Sequence, residues 1–341
     1  MEIDVNYGGS LDPEREFALA EPSGEYRYAE NYMLSCYDAS ADIGMWLHLG
    51  TCPDDFGLWE DQVLISLPEN QGLLWMTSYH RTPPECRPGG GSLSFQCVSP
   101  FQRWRVVFDG VVVHSSNAEM MSGRVRDGVK RLLNFELDVA CVAPVWDTRE
   151  SAMASSGRGS MEDQSWANQH YQQLIRCRGE LELNGRTVVL DAMGVRDHSR
   201  GQRGHAMQHY GGHNLFTAAF PSGAGFGLMS MWTPDGATTL SVAYVVDKGQ
   251  LYHADILNAP VKIDRITLSG EPLEVVLRSA IGEHVFTGVV ERTVYATASD
   301  DWGMAFGADT REENLILAPS FARWRVNGEE TTGLAEKSNR F

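Results

Sequence analysis

GELELNGRTVVL, residues 179–190, consists of two short, alternately apolar runs joined by Asn184-Gly185. Asn-Gly tolerates positive φ at both central positions of a tight turn, and that geometry matches the twist of an antiparallel hairpin. The same pattern recurs to either side. WRVVFDGVVVHS, starting at Trp104, pivots on Asp109-Gly110. MSMWTPDGATTLSVAYVV, residues 229–246, pivots on Asp235-Gly236, and Lys248-Gly249 follows directly. Helical periodicity is nearly absent. Hairpins repeated at short spacing predict an all-β protein made of antiparallel barrels or sandwiches.

The chain has 341 residues, more than the ~250–300 that a single core usually serves, so two β units are expected. The stretch 143–169 is rich in Ser, Gly and charge and lacks alternation. It predicts a linker at 146–168, with a helical turn after Met161, between an N-terminal barrel (1–145) and a C-terminal barrel (169–341). Arg-Trp-Arg-Val occurs at Arg103 and again at Arg323, each time ahead of a turn and late in its half. This echo is consistent with duplication.

The formal net charge is −17. An acidic surface repels phosphate backbones and anionic lipid heads, which argues against nucleic acid and membrane-surface roles. No run of about 18 apolar residues is present, so no stable membrane insertion is expected. The opening residues lack a secretory signal pattern. The six cysteines form no CxxC pair. The sequence therefore reads as that of a cytoplasmic protein with free thiols. A homodimer is compatible with it.

The chemistry concentrates in GVRDHSRGQRGHAMQHYGGH, residues 194–213, which carries His198, His205, His209 and His213. Three of these fall at i, i+4, i+8, but interrupting glycines disfavour both helix and strand, and no HExxH or Cys/His signature occurs. No metal is expected, and the bland reading is a glycine-rich polar loop. Arg196-Asp197-His198-Ser199 is more promising. It ends a strong strand, where a barrel mouth would display polar groups into a cavity. Asp197 sheltered in an apolar cavity would keep a proton and act as a general acid, with His198 as relay. The structural alternative is an Arg–Asp pair pinning the loop. Tyr171, beside His170, could offer its π face to a cationic intermediate or could simply be core. Trp232 is a candidate pocket wall, as are Trp46 and His48, which share one face of a strand. Without a P-loop, a GxSxG elbow or a GxGxxG motif, no cofactor is expected.

HYQQ opening a strand at His170, GVRDHSRGQR after it, and Glu30-Asn31-Tyr32 with Asp38 near the start resemble the bacterial double-lipocalin proteins of the AttH-like and carotenoid 1,2-hydratase group. The matching positions are His170, Tyr171, Gln173, Arg196, Asp197, His198, Ser199, Gly201 and Arg203. Arg200 and Gln172 depart from it, standing where the family pattern has Trp and Glu. The resemblance implies two lipocalin-like β-barrels packed together. It also implies an apolar substrate handled without a redox cofactor, as in relatives that hydrate isoprenoid double bonds or cyclise large apolar molecules. The expected protein is a cofactor-free enzyme that hydrates, dehydrates, isomerises or cyclises a hydrophobic isoprenoid or steroid-like molecule. Asp197, His198 and Tyr171 would do the chemistry. Arg196, Arg203, His170, Trp232, Trp46 and His48 would bind the substrate, in a cavity between the barrels or in one mouth. A non-catalytic carrier of an apolar ligand is the alternative, and a His-dependent metalloenzyme the third.

Overall fold

Alternating, β-branched runs form strands along most of the chain, and helix is limited to short turns. Strand accounts for 61% of the residues and helix for 6%, so sheet packing carries the core. The computed structural model describes residues 5–341, except 70, 124, 126–127, 155–158, 165, 204–209, 299–303 and 312–313.

The first ten strands are β1 (Tyr28–Asp38), β2 (Ile43–Cys52), β3 (Asp55–Ser66), β4 (Leu73–Arg81), β5 (Leu93–Ser99), β6 (Arg103–Ser115), β7 (Val129–Cys141), β8 (Trp146–Asp147), β9 (Gln169–Leu183) and β10 (Arg186–Gln202). β10, β1, β2, β3, β4, β6, β7 and β9 pair in that order, and β9 pairs with β10 to close an antiparallel barrel. β5 is attached to β6, and β8 to β9. Two short helices, α1 (Asn117–Ser122) and α2 (Thr148–Ala154), lie on the connections.

The second barrel uses β11 (Gly212–Ala219), β12 (Gly225–Trp232), β13 (Thr238–Asp247), β14 (Gln250–Asn258), β15 (Pro272–Ser279) and β16 (Gly282–Thr293). After the short β17 (Ala296–Ala298), β18 (Met304–Phe306) and β19 (Leu315–Ala318), it resumes with β20 (Ser320–Val326) and β21 (Glu329–Asn339). β21 returns to pair with β11 and close the ring. The three short strands sit outside it, tied on through β19 to β21. No helix among the described residues is long and apolar enough to cross a membrane.

The all-β, two-barrel expectation holds, but several details differ. The hairpin 169–202, expected to open the second unit, instead closes the first: β10 pairs with β1 over Tyr28–Tyr37. The 146–168 stretch therefore lies within the first barrel's chain path, not between the barrels. It holds the helix Thr148–Ala154 as well as the expected turn after Met161, whose carbonyl accepts from the Gln164 N–H at 3.2 Å. Asp109-Gly110 is not a turn: β6 runs straight through it, opposite Asn134 and Leu133. Glycine is needed there because a Cβ would lie 2.6 Å from the Ser92 hydroxyl. By contrast, Asn184-Gly185 is a tight turn, with φ of 51° and 77°. Finally, the Arg-Trp-Arg-Val echo falls on non-equivalent strands, β6 and β20, which are the fifth and seventh of their rings. What the two share is period-two alternation. Trp104 and Trp324 point into the lumens, while the flanking arginines pair outward, as in Arg105–Glu136 at 2.7 Å and Arg325–Glu330 at 2.8 Å.

Both lumens are filled with side chains. Leu47, Trp59, Phe108 and Phe135 pack inside the first, and Phe216, Phe226, Leu277 and Trp324 inside the second. A third apolar cluster lies between the barrels, joining Met33, Tyr37 and Trp46 to Leu215, Met229 and Phe321. The seam is close. A Cβ on Gly44 would lie 2.2 Å from the Phe321 ring. The same ring stacks on Tyr37 at 5.8 Å. Thr332 donates to the Tyr37 carbonyl at 2.7 Å, and Arg292 pairs with Asp42 at 2.5 Å.

Candidate functional site

Successive residues of β9 and β10 face opposite ways, and this divides the family-like motif in two. On β10, Arg196, His198 and Arg200 point into the first barrel, while Asp197 and Ser199 point out towards the second. Register extends both sets across the sheet: His198 pairs with Tyr171 and Tyr32, and Asp197 with Gln172 and Met33.

The inward set is a buried polar network plugged by the N-terminal segment. A 3-10 turn, Pro13–Glu16, is capped by Asp12 and delivers Glu16, fully buried, into the barrel end. Glu16 accepts from Arg196 Nη2 at 2.9 and 2.8 Å, from the Phe101 N–H at 2.8 Å and from Trp104 Nε1 at 3.0 Å. Arg196 also donates to Gln173 at 2.6 Å. The Tyr171 hydroxyl lies 2.6 Å from Glu16 and 2.8 Å from His198 Nδ1. His198 Nε2 lies 2.7 Å from Glu30, and its ring stacks on Tyr32 at 3.9 Å. Burial favours the neutral acid at Glu16 and Glu30, but Arg196 and Tyr171 at the first, and His198 at the second, hold both below the usual carboxylate range. Burial pushes His198 down despite the pull of Glu30. Arg196, His198 and Tyr171, expected to meet substrate, thus face the barrel interior and do not line the inter-barrel cavity.

The outward set lines a cavity of about 400 Å³ between the barrels. This is within the range of small-molecule sites. Asp197, His170, Gln172, Trp46, His48 and Arg203 all face it. Asp197 Oδ2 lies 3.5 Å from His170 Nε2, and Thr148 holds the other ring nitrogen at 3.3 Å. The Asp197 side chain is 15% exposed, and that opening faces the cavity. Trp46 and His48, two apart on β2, stack with 4° between planes. Burial pushes His48 down to about 4, against the opposing pull of Asp197, so its imidazole is neutral near pH 7. Arg27 and the exposed Asp54, paired at 2.8 Å, stand at the rim. Trp232 is buried but lines no part of this cavity, and the corresponding wall is formed by its neighbour Met231 and by Met229. A bulge between Met231 and Trp232 separates the two.

Sequence reasoning missed the opposite wall. Tyr210, His213 and Glu336 form a chain of two 2.6 Å contacts, from the Tyr210 hydroxyl to His213 Nδ1 and from His213 Nε2 to Glu336. The sequence marks His213 only as a candidate metal ligand, and Glu336 comes beside it only when β21 pairs with β11. Among the described residues no group of three or more His, Cys, Asp or Glu gathers as a metal site. His205 and His209 lie outside the described residues.

Fold and cavity together define a two-barrel β protein with a mixed polar and apolar chamber at the barrel interface. The chain belongs to the family described as "Domain of unknown function (DUF7064)", whose model matches residues 12–340. No curated protein matches in sequence. Three solved structures are similar in fold. A protein of Nitrosomonas europaea provisionally described as an AttH has a TM-score of 0.54 and 12% identity, over 98% of both chains. Kievitone hydratase from Nectria haematococca has a TM-score of 0.53 and 9% identity, over 100% of this chain and 98% of that one. CghA has a TM-score of 0.53 and 9% identity, over 92% and 88%.

Proposed function

We propose that the inter-barrel cavity is the active site of an enzyme that adds or removes water, or rearranges bonds, at a carbon–carbon double bond of an apolar isoprenoid- or steroid-like molecule. Asp197 and His170 form one proton relay, and Tyr210, His213 and Glu336 the other. In the hydration direction one relay gives a proton to one alkene carbon. The other takes a proton from the water that bonds to the neighbouring carbon, so the two proton transfers cancel over the turnover. Opposed acid and base groups of this kind contribute ~10²–10⁴-fold each. Trp46 supplies a π face beside the reacting carbons, where positive charge builds up.

The observation that carries the reading is the placement of Asp197: a carboxyl within reach of an imidazole, opening into a chamber whose opposite side is largely methionine and leucine. The fold shared with kievitone hydratase supports it. The test is incubation with a panel of terpenoid and steroid alkenes in heavy water, read by mass spectrometry. We expect deuterium at carbon in a product and its loss in Asp197→Asn. Full activity in that variant, or recovery of every compound unchanged, would overturn the reading. Tight binding without turnover would instead mark the protein as a carrier.

A further inference from the structure

The cavity wall holds a cation that pairs with no carboxylate among the described residues. Arg203 is 4% exposed and faces the cavity. Its Nη2 donates to the Ser199 hydroxyl at 3.2 Å and to the Asn31 amide oxygen at 2.8 Å, both neutral. Among the described residues no carboxylate pairs with it, and its Nε and Nη1 make no hydrogen bond. Neighbouring arginines differ: Arg27 at the cavity rim has Asp54, and inside the first barrel Arg196 has Glu16 and Arg200 has Glu30 at 3.6 Å. Asp197 is near enough to be felt but is turned to His170. Burial pulls Arg203 down only to about 10, so it stays charged at neutral pH.

A charge held out of water is costly unless it is paired. The same wall leaves further polar atoms unused. The indole N–H groups of Trp46 and Trp166, His48 Nδ1 and both amide atoms of the fully buried Gln172 have no hydrogen-bond partner. Indole N–H can only donate. The vacant hydrogen-bonding capacity therefore leans towards donors, centred on one guanidinium, in a chamber whose second wall, apart from Tyr210, His213 and Glu336, is methionine, leucine and alanine.

We infer that the cavity recognises an apolar molecule bearing one ionised oxygen group, a carboxylate or an equivalent acidic oxygen, seated on Arg203 with its hydrocarbon body against the methionine-rich wall. The inference rests on the proposed function only in taking the same cavity as the binding site, and it requires no turnover. Charge-assisted bonds to a planar fork are about twice as strong as neutral ones, and carboxylate geometry fits that fork.

The test is calorimetric titration of the full chain at pH 7.5 with two matched pairs: 2-naphthoate against 2-naphthamide, and dodecanoate against dodecanamide. The pairs separate a fused-ring body from a fatty chain. For at least one pair the acid should bind about tenfold or more tighter than its amide. Arg203→Gln should reduce that preference to about twofold or less, and Arg203→Lys should keep part of it. Circular dichroism confirms the fold of each variant, and the wild-type preference is a readout that needs no variant. Equal affinity for acid and amide, binding of neither, or a preference that disappears in Arg27→Gln but survives in Arg203→Gln would each overturn the inference. A preference for the acid without deuterium incorporation would leave it standing while removing the enzymatic reading. Turnover without that preference would do the reverse.

Discussion

At the residue scale, the alternation of β10 separates two kinds of buried polar group that adjoin in sequence. Asp197 and His198 are neighbours in the chain yet face a cavity and a barrel lumen, respectively. Their substitutions should therefore behave differently. Asp197→Asn should lower turnover ~10²-fold or more with little change in thermal midpoint. His198→Gln should act mainly on stability, because it removes the partner of Glu30 inside the barrel. Parallel measurement of activity and melting separates the two. His48 provides a pH test. Its folded value, about 4, lies below the ~6.5 of an unfolded histidine, so the unfolded chain binds more protons between those limits. Stability from this site is complete above about pH 6.5 and falls as the pH drops towards 4, by up to about 3 kcal/mol. His48→Gln should flatten that part of the melting-temperature profile; an unchanged profile would exclude His48 as its source. Much of this division could have been read in the sequence. Strand periodicity alone puts His170 and Gln172 on one face and Tyr171 on the other, and likewise splits Asp197 from His198 and Arg196. Reading RDHS as one cluster ignored that constraint.

At the element scale, the N-terminal segment Pro13–Glu16 closes one end of the first barrel with the buried Glu16 carboxylate, helped by the Arg15 carbonyl, which accepts from Arg200 at 2.8 Å. Removing one partner of a buried ion pair costs ~3–5 kcal/mol because the other charge stays buried. Glu16→Gln should therefore destabilise the protein by about that amount in chemical denaturation. Adding Arg196→Met should recover part of the loss, since no orphaned charge then remains. If the double variant is as unstable as the sum of the singles, the plug is not held by this pair. Local turn chemistry was legible where both central residues take positive φ, as at Asn184-Gly185. It misled at Asp109-Gly110, where glycine answers to the close approach of Ser92 rather than to a turn. A dipeptide carries no information about what lies across the sheet, and the pairing of β10 with β1 joins residues 28–37 to 193–202, a separation no local pattern encodes.

At the scale of the whole molecule, the all-β class was legible because period-two runs and turns recur along the chain, whereas the barrel boundary was not. The irregular stretch 143–169 looks like a linker, but the hairpin after it completes the barrel before it. The seam is equally hidden in sequence: Gly44 and Phe321 lie in different barrels and meet only in the folded chain. Gly44→Ala should destabilise the protein by ~1–3 kcal/mol through overpacking. It should also weaken ligand binding in the cavity while leaving Asp197 and His170 untouched. A melting curve and a titration on the same variant check both, and unchanged values would mean the barrels do not bear on each other there.

Because both lumens are solid, neither barrel can widen to admit a bulkier guest by opening its own interior. The chamber is the gap left where two rigid drums rest against each other, and the Gly44–Phe321 contact acts as the shim that sets their spacing. Guest size in this architecture can therefore be tuned from a position that never touches the guest, by thickening or thinning the shim, with every reacting group left in place.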